Sequence, residues 1–311
     1  MVSIPENDRA LETLRRNGRS FHWAGRLLAP AVRVRCARLY AICRTIDDMA
    51  DLPVTADAQH TARARLGELI RAVGRRDTTH PVVAEADRLL TNDETAWWAL
   101  ERLAVTALTD VGPVRINNDD ELYTYADGVA GTVGLMMAGM LDARDSLETR
   151  AAARALGVAM QFTNIARDVL ADAEQNRVYL PRNWLDPQVT PDALATGNPQ
   201  ARASAWRAVQ TLLEHAETSY ERGWNGLPDL PPRARLAIAV ASHLYRRIGR
   251  RILARGPELF WRGRYRVGTG GKVLASAQGL SLYVQTCLRT PNANTPEKRN
   301  MLPNGRRGSE R

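Results

Sequence analysis

The feature that most constrains this chain is its period. Residues 57–73, 94–108, 120–141, 150–172, 201–220 and 233–253 repeat apolar side chains at helical spacing, are rich in Ala, Leu and Arg, and are broken by Pro or Gly. Nothing reads as alternating strands between turn signals, so the expected fold class is all-α, with helices packed around one core. The composition agrees: 44% hydrophobic and 25% charged residues suit a globular chain and exclude disorder over most of its length. One helical domain is expected over 1–288. Residues 175–199, with four prolines, read as a long connection able to act as a lid, and 227–232 as a break. Residues 289–311, almost without apolar side chains after Pro291, read as a disordered basic tail.

The first twenty residues carry no secretory signal, and the apolar run 128–141 is too short to cross a bilayer. Cys36 and Cys43 lie about 10 Å apart along one helix, too far for a disulfide, and Cys287 is distant in sequence. A reduced, cytoplasmic protein is expected.

Chemistry enters with two acidic stripes. In Tyr40-Ala-Ile-Cys-Arg44-Thr-Ile-Asp47-Asp48-Met-Ala-Asp51, residues Tyr40, Arg44, Asp47 and Asp51 fall within about 60° on a helical wheel. About 120 residues on, Gln161, Asp168 and Asp172 share a second stripe, with Asn164 at its edge and Arg167 beside it. A lone DxxxD is ordinarily a solvated helix face. Here both segments are otherwise apolar, and two carboxylates about 6 Å apart repel by roughly 3 kcal/mol at an effective dielectric of 20. Buried carboxylates need protons or cations. Oxygen donors suit Mg²⁺, which bridges one or two carboxylates to substrate phosphates. Two acidic faces with Arg44 and Arg167 therefore predict a diphosphate site where metal ions assist carbon–oxygen ionisation. An apolar interior would hold a hydrocarbon chain and keep water from a carbocation.

Residues 40–51 resemble the first aspartate-rich motif of the squalene/phytoene synthase family, and residues 161–181 (QFTNIARDVLADAEQNRVYLP) resemble the second. Residues 125–137 (YADGVAGTVGLMM) are similar to the helix between them, and Ser20-Phe21 to an N-terminal element. The likeness runs from about 15 to 285 and is nearest to the bacterial phytoene-forming members. It implies a class I isoprenoid-synthase-like helical bundle with a central hydrophobic tunnel. It also implies head-to-head condensation of two geranylgeranyl diphosphates through prephytoene diphosphate. By the same resemblance Asp47, Asp51, Asn164, Asp168 and Asp172 would hold Mg²⁺, with Mn²⁺ as a substitute. Arg44 and Arg167 would hold diphosphate oxygens, with Ser20, Tyr40 and Gln161 close by. Tyr125 would line the site and is a candidate for the final proton transfer. Tyr245 and Arg264 would also touch substrate, and Val129 and Gly134 would border the tunnel. No NADPH is expected if the product is phytoene. Ala171, Ile42 and Asp127 depart from the family pattern without removing a catalytic group.

The alternative within the family is a dehydrosqualene or squalene synthase using farnesyl diphosphate. A head-to-tail prenyltransferase fits less well, because its DDxxD is repeated and here Asp168 and Asp172 stand alone. A non-enzymatic assembly factor would have lost its aspartates. Gly128, Gly131 and Gly134 follow no strand, so they read as a close helix approach rather than a phosphate loop. The five histidines lack metal-ligand spacing, and Cys43 reads as packing. Net charge is +9, from 43 Lys and Arg against 34 Asp and Glu. Residues 244–272 alone carry nine basic residues and one acid. That stretch reads as a solvated face or one drawn to anionic lipid, giving possible peripheral attachment at the inner face of the membrane. Aromatics are not interleaved there, so no nucleic acid is expected.

Overall fold

The computed structural model describes residues 7–51, 55–91, 93–263, 265 and 267–289. Four of the six segments read as helical fall within single α-helices, 94–108 runs one residue past its helix, and 120–141 divides into two helices joined by a π-turn. Helices α1 (Asn7–Asn17) and α2 (Arg19–Gly25) lead into α3 (Pro30–Asp51), followed by α4 (Ala56–Arg75), α5 (Pro81–Leu90) and α6 (Glu94–Ala107). Helix α7 (Asp119–Ala126) continues through one wide π-turn (Asp127–Gly131) into α8 (Thr132–Met140). Then come α9 (Leu147–Glu174), α10 (Pro191–Thr196), α11 (Pro199–Trp224), α12 (Pro232–Phe260) and α13 (Thr269–Arg289). The boundaries have local causes. Asn118, Ser146 and Asn198 accept the free N–H groups that open α7, α9 and α11, and proline occupies the first turn of α5, α10, α11 and α12. Gly256, at φ 72°, and Pro257 kink α12 near its end.

Helix α9 is the axis, packed on α7, α8, α10, α11 and α12. One apolar cluster joins α3 to α6 and α8, and a second joins α9, α11 and α12. Glycines let these layers close. A Cβ on Gly157 would fall on the carbonyl of Ala130, one on Gly134 on the carbonyl of Ala153, and one on Gly128 on Thr106. The 128/131/134 spacing is thus a close-approach device, and it carries the π-turn that the sequence period did not show.

The 175–199 connection is not a loose lid. Its strand β2 (Arg177–Val178) pairs in parallel with β1 (Val114–Arg115), in register Val114 to Arg177 and Arg115 to Val178. Leu180 and Leu194 lie in the core at 1% and 0% exposure. The 227–232 break is a short 3₁₀ turn (Leu227–Asp229) between α11 and α12. The expected tail falls outside the described residues from position 290, as does Arg264. Among the described residues no helix is long and apolar enough to cross a membrane.

Candidate active site

A cavity of about 410 Å³ runs between the two apolar clusters. Along α9 its lining extends from Thr149 to Arg167, about 27 Å at 1.5 Å per residue. The α9 side chains it meets are Ala152, Ala153, Leu156, Gly157 and Met160, and then Gln161, Asn164 and Arg167. Helix α3 changes character in the same direction, from Cys36 to Tyr40, Arg44 and Asp47. Helix α9 is thus apolar along most of the lining and polar toward its end, and α3 gathers Tyr40, Arg44 and Asp47 there too, with Arg33 a charged exception nearer its start, so the cavity has a largely oily body and a charged end. Val129, Val133, Gly134 and Met137 form another wall, and Tyr245 closes part of the polar end beside Phe21, ring centroids 5.2 Å apart.

Most of the residues read from sequence meet here. Tyr40, Arg44, Asp47, Gln161, Asn164, Arg167, Tyr245, Val129 and Gly134 all line the cavity. Ser20 is half-buried at the start of α2 and does not line it, whereas its neighbour Phe21 does. Asp168 directly follows the lining residue Arg167, and Asp51 and Asp172 stand about one helical turn beyond the last lining residues of their helices, Asp47 and Arg167.

The charges of the two stripes converge. Burial pushes the Asp47 carboxyl up to about 7, and the neighbouring charge of Asp51 pushes the same way. Burial likewise raises Asp172 to about 8, helped by Asp168 and, from the other stripe, Asp51. Arg44 pairs with Asp48 on its own helix, and Arg167 forks onto Asp168, Nε to Oδ1 at 2.9 Å and the second nitrogen to Oδ2 at 2.6 Å. The amide of Asn164 donates to Gln161 Oε1 at 3.2 Å, leaving Asn164 Oδ1 buried without a hydrogen-bond partner. A buried acceptor with no donor, in the same cavity lining as the raised carboxyl of Asp47, fits a hard cation. Among the described residues no group of three or more His, Cys, Asp or Glu forms a metal cage by itself. Paired carboxylates leave coordination positions for water and phosphate, the habit of Mg²⁺.

Sequence reading missed what braces this end. Buried Arg177, in β2, donates to Asp51 Oδ1 at 2.7 Å, to the Asp110 carbonyl at 2.7 Å and to the Ala50 carbonyl at 3.2 Å. Asp110 in turn accepts from two stacked phenols, Tyr125 at 2.9 Å and Tyr179 at 2.8 Å, with ring centroids 4.9 Å apart. Tyr125 is thus set outside the cavity lining. Burial first, and Asp110 second, hold its hydroxyl well above the ordinary phenol range, so it is a hydrogen-bond donor near neutrality and not a phenolate base. The only local signal was an acid and two tyrosines in segments far apart in sequence. Asp110→Asn strands one of the two hydroxyls and is expected to cost about 1–3 kcal/mol in denaturant melting. Adding Tyr179→Phe should recover part of that loss; no recovery would count against the shared acceptor.

A helical shell around an apolar chamber, with cation-seeking oxygens and arginines at one end, is the build of an isoprenoid diphosphate synthase. The chain belongs to the squalene/phytoene synthase family, whose model matches residues 14–270. It is 36% identical over 306 residues to a phytoene synthase of Pseudescherichia vulneris, covering 94% of this chain and 97% of that one. A 15-cis-phytoene synthase of Enterobacter agglomerans is 35% identical over 287 residues, covering 88% and 96%. Among solved structures, a dehydrosqualene synthase in complex with ligand superposes with a TM-score of 0.71 at 22% identity, covering 90% of this chain and 96% of that one.

Proposed function

We infer that the protein is a prenyl-transferring enzyme that joins two geranylgeranyl diphosphates head to head, through prephytoene diphosphate, to phytoene. The single observation that carries the reading is a largely apolar cavity between α3 and α9 that ends at Tyr40, Arg44, Asp47, Gln161, Asn164 and Arg167. The similarity to phytoene synthases over most of the chain supports the C40 product.

Asp47, Asp51, Asn164, Asp168 and Asp172 would hold Mg²⁺, or Mn²⁺ in its place. The bound ions would supply Lewis-acid charge to the departing diphosphate. Arg44 and Arg167 add fixed positive charge where that leaving group collects it. Val133, Met137, Leu156 and Met160 hold the prenyl chains and exclude water while a cation exists. With Tyr125 tied to Asp110, released diphosphate is the acceptor we favour for the last proton. Phytoene formation consumes no reductant. A peripheral place at a membrane suits an enzyme whose product is insoluble in water.

Product mass decides the reading. Purified protein with Mg²⁺ and geranylgeranyl diphosphate should give a C40 hydrocarbon whether or not NADPH is present. A C30 product from farnesyl diphosphate alone would overturn it. Chain length has a structural handle in Gly25. This residue lines the cavity, and a Cβ there meets nothing nearer than Arg33 Cγ at 3.9 Å. Gly25→Phe should fill that space and lower the C40 to C30 product ratio about tenfold in a mixed-donor assay. An unchanged ratio would place the length limit elsewhere.

A further inference from the structure

Helix α13 lies outside the catalytic account, and its two faces differ sharply. The inner face is packed: Ala275 and Thr286 are buried, Gly279 sits against Val240, and Ser276 accepts a hydrogen bond from the Trp23 indole at 3.1 Å. The outer face presents Val273, Leu274, Leu280, Val284 and Leu288, exposed by 59%, 47%, 51%, 48% and 81%. No charged residue occurs between Lys272 and Arg289. A surface helix of a soluble chain ordinarily carries charge on its outer face, and a continuous apolar stripe marks a contact surface.

We propose that the outer face of α13 docks the protein on the interface of a membrane containing anionic lipid. The proposal deepens the peripheral location read above and rests on that reading for its purpose. Charge selects the occupant. Helix α13 has no acidic residue, and residues 232–289 hold twelve Lys and Arg against one acid, Glu258. At the start of α13, Lys272 and Arg26 both lie over the Trp23 ring, at 5.3 and 5.7 Å. Arg26, Arg33, Lys272 and Arg15, the last paired with Glu12, all act on His22, so this end of the stripe carries net positive charge. Apolar side chains beside such a cluster match the acyl boundary and headgroups of an anionic leaflet. A second copy would bring the same positive surface against itself.

The test floats the full chain with phosphatidylcholine vesicles containing phosphatidylglycerol, and with phosphatidylcholine alone. The protein should float with the anionic vesicles and less with the neutral ones, and added salt should weaken its binding. The double variant Leu280→Glu, Val284→Glu should lower partitioning about tenfold or more, while its turnover in detergent stays at the parent rate. Failure of the parent to float, or equal flotation of the variant, overturns the proposal. A dimer in sedimentation that the variant dissolves also overturns it and assigns the face to a second copy. Flotation as expected without any C40 product leaves the surface standing and removes the function reading instead.

Discussion

Asp47→Asn should melt higher than the parent in the absence of metal and turn over at least about a thousandfold more slowly, some 4 kcal/mol of barrier. Both effects have one origin. Asp47 sits half-buried on α3, one turn from Asp51, with Asp48 and Asp110 also pressing negative charge on it. Arg44, the cation closest in sequence, is already engaged by Asp48. An amide of the same shape removes the repulsion and the cost of burying charge, worth about 2 kcal/mol at minimum for a carboxyl pushed this far. It also removes the negative oxygen that the diphosphate-bound ions would use. Melting without metal and product mass with Mg²⁺ read the two halves separately. An Asn variant that melts lower, or keeps a tenth of the activity, would show that this carboxylate is structural.

Gly157→Ala should act in the opposite sense on stability, for a reason unrelated to chemistry. Its new Cβ would land on the Ala130 carbonyl and lie 3.0 Å from the Gly131 Cα, so backbone meets backbone and no rotamer relieves it. Helix α9 would have to move off the π-turn that carries Val129 and Ala130 in the cavity wall. A loss of about 3 kcal/mol or more is expected in denaturant melting, well beyond the gain of about 1 kcal/mol in helix propensity. Gly67→Ala on α4 is the control. Its nearest neighbour is the mobile end of Arg71 at 3.6 Å, so propensity alone should make that variant neutral or more stable. If the two substitutions behave alike, the helix seam is not what fixes Gly157.

The helices and most of the site could be read from the chain because both are written in a local period. Asp47 and Asp51, or Asp168 and Asp172, share a face at four-residue spacing whatever surrounds them. The brace could not be read that way. Arg177 lies in a proline-rich stretch that looks like a flap, and its partners, Asp51 and the Asp110 and Ala50 carbonyls, are brought to it only by tertiary folding. Tyr125 lies in the expected segment but donates to Asp110, because a helical wheel shows direction and not the acceptor waiting there. Helix α13 shows no clear helical period, because its outer face breaks the amphipathic rule on which helix reading depends.

Arg177 has a consequence for how such a protein is made. Where a metal is the only counter-charge to a ring of acids, the chain cannot fold until the metal arrives. Here a resident guanidinium already bonds Asp51 and partly offsets the rise that burial imposes on the carboxyl of Asp172, each from a different stripe. The acidic end therefore has a resident counter-charge of its own, and its folding would not have to wait for the proposed ions.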